Sequence, residues 1–183
     1  MKDTKEKLLQ ALRGLAANKS IDKITVKEIA EKANVTPQTF YNYFPDKYEL
    51  IQWAYRVKLD DLIDSLRKHE IDYEGFLRGY LAGYKDNARY IINAATNVRG
   101  QNSYSKESAM YFCSCIERGV RMSLGVKETP LEYKLLVEVY VAGFSNLVLH
   151  WLSTDEYSMD EIVKALCDAV PQKLRDAFFN KYS

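Results

Sequence analysis

The most informative segment of this chain is ITVKEIAEKANVTPQTFYNYFPDKYEL, Ile24 to Leu50. Thr25 stands three positions before Glu28, and this spacing is the capping-box pattern with which many helices begin. It predicts a short helix over 26–33. Asn34 follows, and Asn tolerates the left-handed backbone conformation that ends many helices.

A second helix start follows within the same stretch. Thr36 is a suitable N-cap and Pro37 suits the first helical position, so we predict a helix over 37–44. Two short helices joined by about three residues form a helix-turn-helix, which presents its second helix to the major groove of DNA. Asp46 then opens a long connecting helix, 46–68.

The composition of the whole chain limits its class. Of 183 residues, 47% are hydrophobic, and 26 basic side chains nearly balance 25 acidic ones, so a disordered charged tail is excluded. No unbroken apolar run approaches the roughly 20 residues that span a bilayer, so we expect no membrane partner. Three cysteines are too few for a disulfide framework and favour free thiols in a reducing cytoplasm.

Helical periodicity and capping signals continue along the rest of the chain. The predicted helices there are 72–87, 88–97, 104–124, 130–152 and 158–180. The predicted fold is therefore all-α, with a three-helix N-terminal helix-turn-helix head, a C-terminal helical bundle and about nine helices. We expect residues 1–50 to bind DNA and residues 51–183 to bind an effector and dimerise.

The opening stretch resembles the DNA-binding half of the TetR family of transcriptional regulators. The family pattern T-x-x-x-I-A-x-x-A-x-V-[ST]-x-x-[TS]-[FL]-Y-x-[YH]-F-x-x-K-x-x-L is matched at Thr25, Ile29, Ala30, Ala33, Val35, Thr36, Thr39, Phe40, Tyr41, Tyr43, Phe44, Lys47 and Leu50. Asn34 departs from the pattern, since Gly is usual there, but keeps the turn geometry. The resemblance covers roughly residues 4–55. It implies a dimeric regulator, most often a repressor, that binds a palindromic operator and is released by an effector.

Several side chains of the head are expected to contact DNA. Residues 1–58 carry eleven Lys and Arg against seven Asp and Glu, a net charge of +4 that suits a polyanion. Lys47 suits a phosphate, and so do the hydroxyls of Thr25 and Thr39, although Thr25 is also a cap. Gln38 can make two hydrogen bonds to adenine. With the positions that the resemblance adds, the predicted DNA-binding residues are Thr25, Lys27, Thr36, Pro37, Gln38, Thr39, Tyr41, Asn42, Tyr43 and Lys47.

A single head makes few phosphate contacts, so we expect two copies to pair on the half-sites of a palindrome. The last two predicted helices each carry a broad apolar side, which includes Leu135 and Val139. The resemblance pairs these helices with those of a second copy. The predicted interface residues are Leu136, Tyr140, Leu147, Ile162, Leu166 and Val170. The alternative is that these faces form the core of each protomer, and part of each must do so.

The remaining helices form the candidate sensing part. Gly75, Gly79 and Gly83 recur every four residues beside aromatic side chains, and each glycine inside a helix costs up to about 1 kcal/mol relative to alanine. A closely packed neighbouring helix offsets this cost more often than a bound ligand does. The predicted effector-pocket residues are Phe76, Tyr80, Tyr84, Tyr111, Phe144 and Trp151. Their effector would be a small apolar or aromatic molecule.

No feature of the sequence points to catalysis. It holds no nucleophile motif, phosphate-binding loop or paired carboxylate set. Cys113 and Cys115 are two apart on a predicted helix and so point to different sides, which disfavours a metal site. We expect no enzymatic activity, no cofactor and no metal. An all-α enzyme, the alternative, would need a polar cleft with perturbed titratable groups.

The segment VYVAGFSNLVLHWL, Val139 to Leu152, resembles a subgroup of the same family that includes regulators of dihydroxyacetone kinase operons. Some members of this subgroup are activators that answer to a kinase-like protein partner instead of a small inducer. Two functions therefore stay open, namely a repressor released by an effector and an activator controlled by a protein partner. A protein-interaction module without DNA binding is a third, which Lys47 and the polar third helix disfavour.

Overall fold

The structure is a computed structural model that describes residues 4–85, 87–97, 104–154 and 156–179. Every regular element in these ranges is helical, as the sequence predicts. In chain order the α-helices are α1 (Thr4–Ala16), α2 (Val26–Lys32), α3 (Pro37–Tyr41), α4 (Lys47–Arg67), α5 (Tyr73–Lys85), α6 (Ala88–Asn97), α7 (Tyr104–Leu124), α8 (Leu131–Thr154), α9 (Met159–Asp168) and α10 (Gln172–Leu174). A 3-10 turn, Ile21–Lys23, separates α1 from α2, and a π-helical turn, Arg175–Phe179, follows α10.

The chain divides into two compact units. The first unit comprises the residues up to Val57 together with Asn87–Ser108, and the second comprises Lys58–Asp86 and the chain from Ala109 onward. The helix-turn-helix segment lies in the first unit, which also takes in α6. The functional division of the chain at residue 50 stays a prediction.

The first unit is built on α1, whose apolar side is buried through Leu8, Leu9 and Leu12. Helix α2 packs against α1, α3 packs against α2, and α6 contacts both α1 and the 3-10 turn. Burial of Ile29 and Phe40 anchors the two short helices, which are too short to be stable by themselves. Tertiary packing therefore fixes the orientation of α3.

The predicted capping signals around the helix-turn-helix are confirmed. The Thr25 hydroxyl accepts the Glu28 amide, and the Glu28 carboxylate accepts the Thr25 amide, which completes the capping box. Asn34 has a φ of 56°, the left-handed conformation expected for the turn. Helix α3 ends at Tyr41, three residues before the predicted 44, because Pro45 disfavours helical geometry at Phe44 and the chain tightens into a turn first.

The second unit holds a core of aromatic rings. Helix α5 packs against α9 and α8, and Leu62 of α4 lies where a side chain on Gly79 would stand, so a close helix contact explains that glycine. Ser158 and Glu161 form the predicted capping box at the start of α9. The helix predicted over 158–180 ends at Asp168, and a short helix begins again at Gln172. Pro171 lies between them and has no N–H to donate to a helical hydrogen bond.

Helix α8 is long and apolar enough, by length and composition alone, to cross a membrane. Its most apolar 18-residue window has a mean hydropathy of 1.5, and 39% of that window is buried within the protein. The expectation of no membrane contact was based on unbroken apolar runs. Charged residues such as Glu132, Lys134 and Glu138 interrupt the apolar sequence of this helix. Core helices of globular proteins meet the same criteria, and seven residues of α8 face the core.

Candidate nucleic-acid interface

The exposed side of α3 is polar. Thr36 caps the helix by accepting the Thr39 amide at 3.1 Å, and the hydroxyls of Thr36 and Thr39 lie 2.9 Å apart. Gln38 and Asn42 are both exposed, and Gln38 Nε2 donates to Asn42 Oδ1 at 3.1 Å. The two amides thus stand side by side on one face, as their four-residue spacing predicts. Pro37, also exposed, begins this face.

Two tyrosines flank this polar face. The side chain of Tyr41 is 53% exposed and that of Tyr43 is 42% exposed, so both hydroxyls can reach a ligand outside the unit. Phe40 and Phe44 are buried and their rings contact each other, which confirms that they belong to the core. The helix therefore divides cleanly into an aromatic core side and a polar outer side with tyrosines at its edge.

Lys47 is held by the main chain. Its ammonium donates to the carbonyl oxygens of Asp22 at 2.9 Å and Ile24 at 2.7 Å, which belong to the 3-10 turn and the residue after it. Partial burial lowers the pKa of Lys47 from its usual value. Because an ammonium has three donors, one is left after these two hydrogen bonds, and the ammonium also lies 5.2 Å from the centre of the Tyr48 ring. The sequence did not reveal this anchor, since Lys47 and Ile24 are 23 positions apart.

Asp46 caps the first turn of α4, as the sequence predicts. Asp46 Oδ1 accepts the amides of Tyr48 at 2.8 Å and Glu49 at 2.9 Å. This capping carboxylate takes two of the N–H groups that a phosphate would otherwise use. Tyr48 also donates through its hydroxyl to Asp22 Oδ1 at 3.3 Å, so it braces the 3-10 turn from the same side as Lys47.

The start of α2 is rigid and charged. Thr25 uses its hydroxyl on Glu28, donating to Oε2 at 2.9 Å, so its predicted phosphate contact competes with its cap. Lys19 donates to the other Glu28 oxygen at 2.6 Å. These hydrogen bonds, from Lys19 first and Thr25 second, lower the pKa of Glu28 to about 2. Lys27 is exposed beside Glu31, 3.9 Å away, and points outward from the same helix.

The predicted effector-pocket residues lie in the second unit, where most are packed on each other. Phe76, Tyr80, Phe144 and Trp151 are buried, and Tyr80 stands 5.5 Å from Phe144 between ring centroids. Their neighbour Phe112 lies 5.3 Å from Phe144. The other two pocket residues bond within the unit. Tyr84 accepts from Tyr80 at 2.7 Å, and Tyr111 donates to Asp60 at 2.7 Å.

Four of the six predicted dimer residues are buried in the protomer. They are Tyr140, Ile162, Leu166 and Val170, and the Tyr140 hydroxyl bonds that of Tyr73. Leu136 and Leu147 are half-buried. The buried residues of α8 and α9 face inward because α5 packs against both helices and the two helices pack against each other.

Helix α8 instead exposes a different apolar stripe. Val139 is 73% exposed, Leu131 is 70% exposed and Leu135 is 53% exposed, all at a spacing of four residues. Ala142 and Gly143 continue the stripe, and within the described residues open space surrounds the position of a Cβ at Gly143. Large apolar side chains at such exposure commonly mark a surface that another protein covers.

The described residues hold no group of three or more His, Cys, Asp or Glu side chains placed to bind a metal ion. Burial raises the pKa of Cys113 to about 11 and also raises the pKa of Cys115 and of Cys167. A thiol with a raised pKa is a poor nucleophile at neutral pH.

The sequence is similar to those of known proteins. Residues 4–53 match the family described as bacterial regulatory proteins, tetR family. The chain is 23% identical over 179 residues to the uncharacterized HTH-type transcriptional regulator YxbF of Bacillus subtilis (strain 168), which covers 90% of this chain. It is 30% identical over 73 residues, 40% of its length, to the HTH-type dhaKLM operon transcriptional activator DhaS of Lactococcus lactis subsp. lactis (strain IL1403). The matches span only 44% of YxbF and 37% of DhaS.

The fold is similar to that of solved structures. The dihydroxyacetone kinase operon activator DhaS superposes with a TM-score of 0.69 and 15% identity, over 96% of this chain and 98% of that one. At this identity the likeness shows the fold alone, and the family match covers residues 4–53.

Proposed function

Because residues 4–53 match the tetR family of bacterial regulatory proteins, we propose that the chain is a TetR-family transcriptional regulator that reads DNA with the exposed side of α3. One observation carries the proposal. The paired amides of Gln38 and Asn42 stand on that side, and Lys47 is anchored nearby with a donor to spare. Because its target would be chromosomal DNA, we place the regulator in the cytoplasm.

The side chains divide into two chemical roles. Lys47, Thr25, Thr39 and the two exposed tyrosines suit phosphate oxygens, which fix the register on the duplex. Gln38 retains one amide N–H and its carbonyl oxygen after bonding Asn42, and these match the N7 and N6 groups of adenine in the major groove. The proposed base-reading residues are Lys27, Thr36, Pro37, Gln38 and Asn42.

We propose that two copies bind a palindromic operator and that the exposed stripe of α8 joins them. Leu131, Leu135 and Val139 would face the same stripe of a second copy, because a two-fold axis brings identical surfaces together. Ala142 and Gly143 allow two helices to approach closely at the centre of such a contact. Pairing of TetR-family regulators on DNA supports the same arrangement.

The direction of regulation has two candidates. A repressor would release DNA when a small apolar effector entered the second unit, and its predicted pocket rings would have to part, because they touch each other. An activator controlled by a protein partner needs no internal cavity. The similarity to DhaS, which is named an operon activator, also favours this second candidate.

Selection from a random duplex library tests DNA binding directly. The full chain should enrich a palindrome, and Gln38→Ala should relax the preference at one position of each half-site, at a cost of about 1–3 kcal/mol. Gln10→Ala is the matched control, since Gln10 is an exposed helical glutamine that also bonds a neighbour four residues away. Enrichment of no sequence, or equal preferences for wild type and Gln38→Ala, would contradict the proposed reading.

A transcription assay with the enriched palindrome upstream of a promoter separates the two directions. Added wild-type chain should raise transcription if it is an activator and lower it if it is a repressor. Val139→Lys serves as a variant that should lose either effect through loss of pairing.

A further inference from the structure

Asn93 of α6 ties the end of α1 to the 3-10 turn. Its Oδ1 accepts the Ile21 amide at 3.1 Å. Its Nδ2 donates to the carbonyl oxygens of Ala16 at 3.3 Å and Lys19 at 3.0 Å. One carboxamide therefore satisfies three main-chain groups that lie at least 72 positions away in the sequence.

Local main-chain hydrogen bonds do not satisfy these three groups. The Ala16 carbonyl belongs to the last turn of α1, where intrahelical donors have run out. The Ile21 amide begins the 3-10 turn, and the Ile21 side chain is fully buried beside it. Asn93 thus fixes both where α1 ends and where the 3-10 turn begins.

The same turn holds the predicted phosphate ligand. Lys47 donates to the carbonyl oxygens of Asp22, which directly follows Ile21, and of Ile24, which comes just after the turn. Lys19, whose carbonyl oxygen bonds Asn93, also pairs through its ammonium with the carboxylate of Glu28 in the α2 capping box. Asn93 is consequently linked through the main chain both to Lys47 and to the Lys19–Glu28 pair at the start of α2.

We infer that Asn93 is a positioning residue for DNA binding. By holding the 3-10 turn, it sets the two carbonyls that aim the Lys47 ammonium, although Asn93 itself touches neither Lys47 nor DNA. The inference rests on the proposed function, because it assigns Lys47 to a phosphate.

Truncation of Asn93 should leave the protein folded. A polar cleft of about 490 Å³, lined by residues 16–20 with Arg89 and Asn93, opens to solvent beside these hydrogen bonds. Water can enter such a cleft and bond the main-chain groups that the carboxamide leaves. Arg89 also keeps a second contact between α6 and this segment, since it donates to the Ala17 carbonyl at 3.2 Å.

A double-mutant cycle on DNA affinity tests the inference. The probe is a duplex enriched by the wild-type chain from a random library, and affinity is read by fluorescence anisotropy. Asn93→Ala should weaken binding about fivefold to tenfold, the effect of losing one or two net hydrogen bonds. The fold loss of affinity caused by Lys47→Met should then be at most about half as large in the Asn93→Ala background as in wild type. The reason is that the Lys47 ammonium is already misplaced in Asn93→Ala.

Two controls accompany the cycle. Asn18→Ala removes the same side chain from an exposed position of the same segment and should change affinity less than about twofold. Asn93→Asp keeps an acceptor for the Ile21 amide and removes both donors, so it serves as a second test variant. Exchange of the Ile21 amide proton, followed by NMR without DNA, should accelerate in Asn93→Ala.

Failure of the inference and failure of the proposed function give different results. Full affinity of Asn93→Ala, or strictly additive effects with Lys47→Met, overturns the inference while DNA binding itself stands. Unchanged exchange of the Ile21 amide overturns it as well. Failure of the wild-type chain to enrich any duplex overturns the proposed function, and with it the role of Asn93 on DNA.

Discussion

The Lys47 ammonium lies 2.7 Å from the main-chain oxygen of Ile24, to which it donates a hydrogen bond. This contact joins the first turn of α4 to the residue that precedes the α2 cap. A lysine placed in this way serves the fold and the candidate DNA surface together. Its substitution should therefore change both stability and binding, and the two effects can be measured apart.

Lys47→Met should weaken binding to all duplexes alike, because a phosphate contact carries no base information. It should also reduce the dependence of log affinity on log salt by about one, the value for one lost phosphate contact. Affinity measured at four or more salt concentrations gives this slope. Lys164→Met, at an exposed position of α9, is the control and should leave the slope unchanged. A normal slope with a lowered melting temperature would assign Lys47 to the fold alone.

Glu28 should make stability depend on pH in the acid range. Its pKa is about 2 in the folded protein against a usual value of 4.5, so the folded state favours the charged form. The stabilisation is then fully present above pH 4.5 and disappears as the pH falls toward 2. Melting temperatures of wild type and Glu28→Gln should differ near neutral pH and converge in acid. Glu31→Gln, on the same helix, is the control, and a gap that persists at low pH would refute the linkage.

Gly119 should resist substitution because Phe178 packs against it. A Cβ built at Gly119 would overlap the ring of Phe178, which is itself buried. Gly119→Ala should therefore destabilise the protein by about 1–3 kcal/mol, as overpacking of a core does. Gly83→Ala is the matched control, since its nearest neighbour is the Lys58 side chain at 3.5 Å, and it should gain up to about 1 kcal/mol of helix propensity.

Urea unfolding of these glycine variants gives the free energies. The double variant Gly119→Ala with Phe178→Leu replaces the ring with a smaller side chain. It should recover part of the lost free energy of unfolding, which a purely local helix effect would not allow. Equal stability of Gly119→Ala and wild type would show that the C-terminal turn can shift away at little cost.

Val139→Lys should separate the two copies of the proposed dimer. A charge at the centre of an apolar contact loses its hydration without gaining a partner. Sedimentation velocity should then show a monomer, and binding to the palindrome should weaken sharply. Met110→Lys is the control, because Met110 is 61% exposed on α7 and lies outside the stripe. A Val139→Lys variant that remains dimeric would place the interface elsewhere.

The sequence did not predict which part of the apolar side of α8 is buried. Leu135, Val139, Tyr140 and Phe144 lie on one broad apolar side by helical periodicity. The structure separates them, with Tyr140 and Phe144 in the core and Leu135 and Val139 outside. Periodicity shows how wide an apolar side is, but which part of it is covered depends on where neighbouring helices lie.

Elements whose causes are local can be predicted from the sequence. The Thr25–Glu28 cap and the left-handed Asn34 each act within four residues, and the helix-turn-helix follows from them. Which hydroxyls and amides already have partners, and which apolar residues stay exposed, depends on tertiary packing. Lys47 bonds Ile24 across 23 positions and Asn93 bonds Ile21 across 72. Such partners are chosen by the packing of whole helices, and no spacing in the sequence records it.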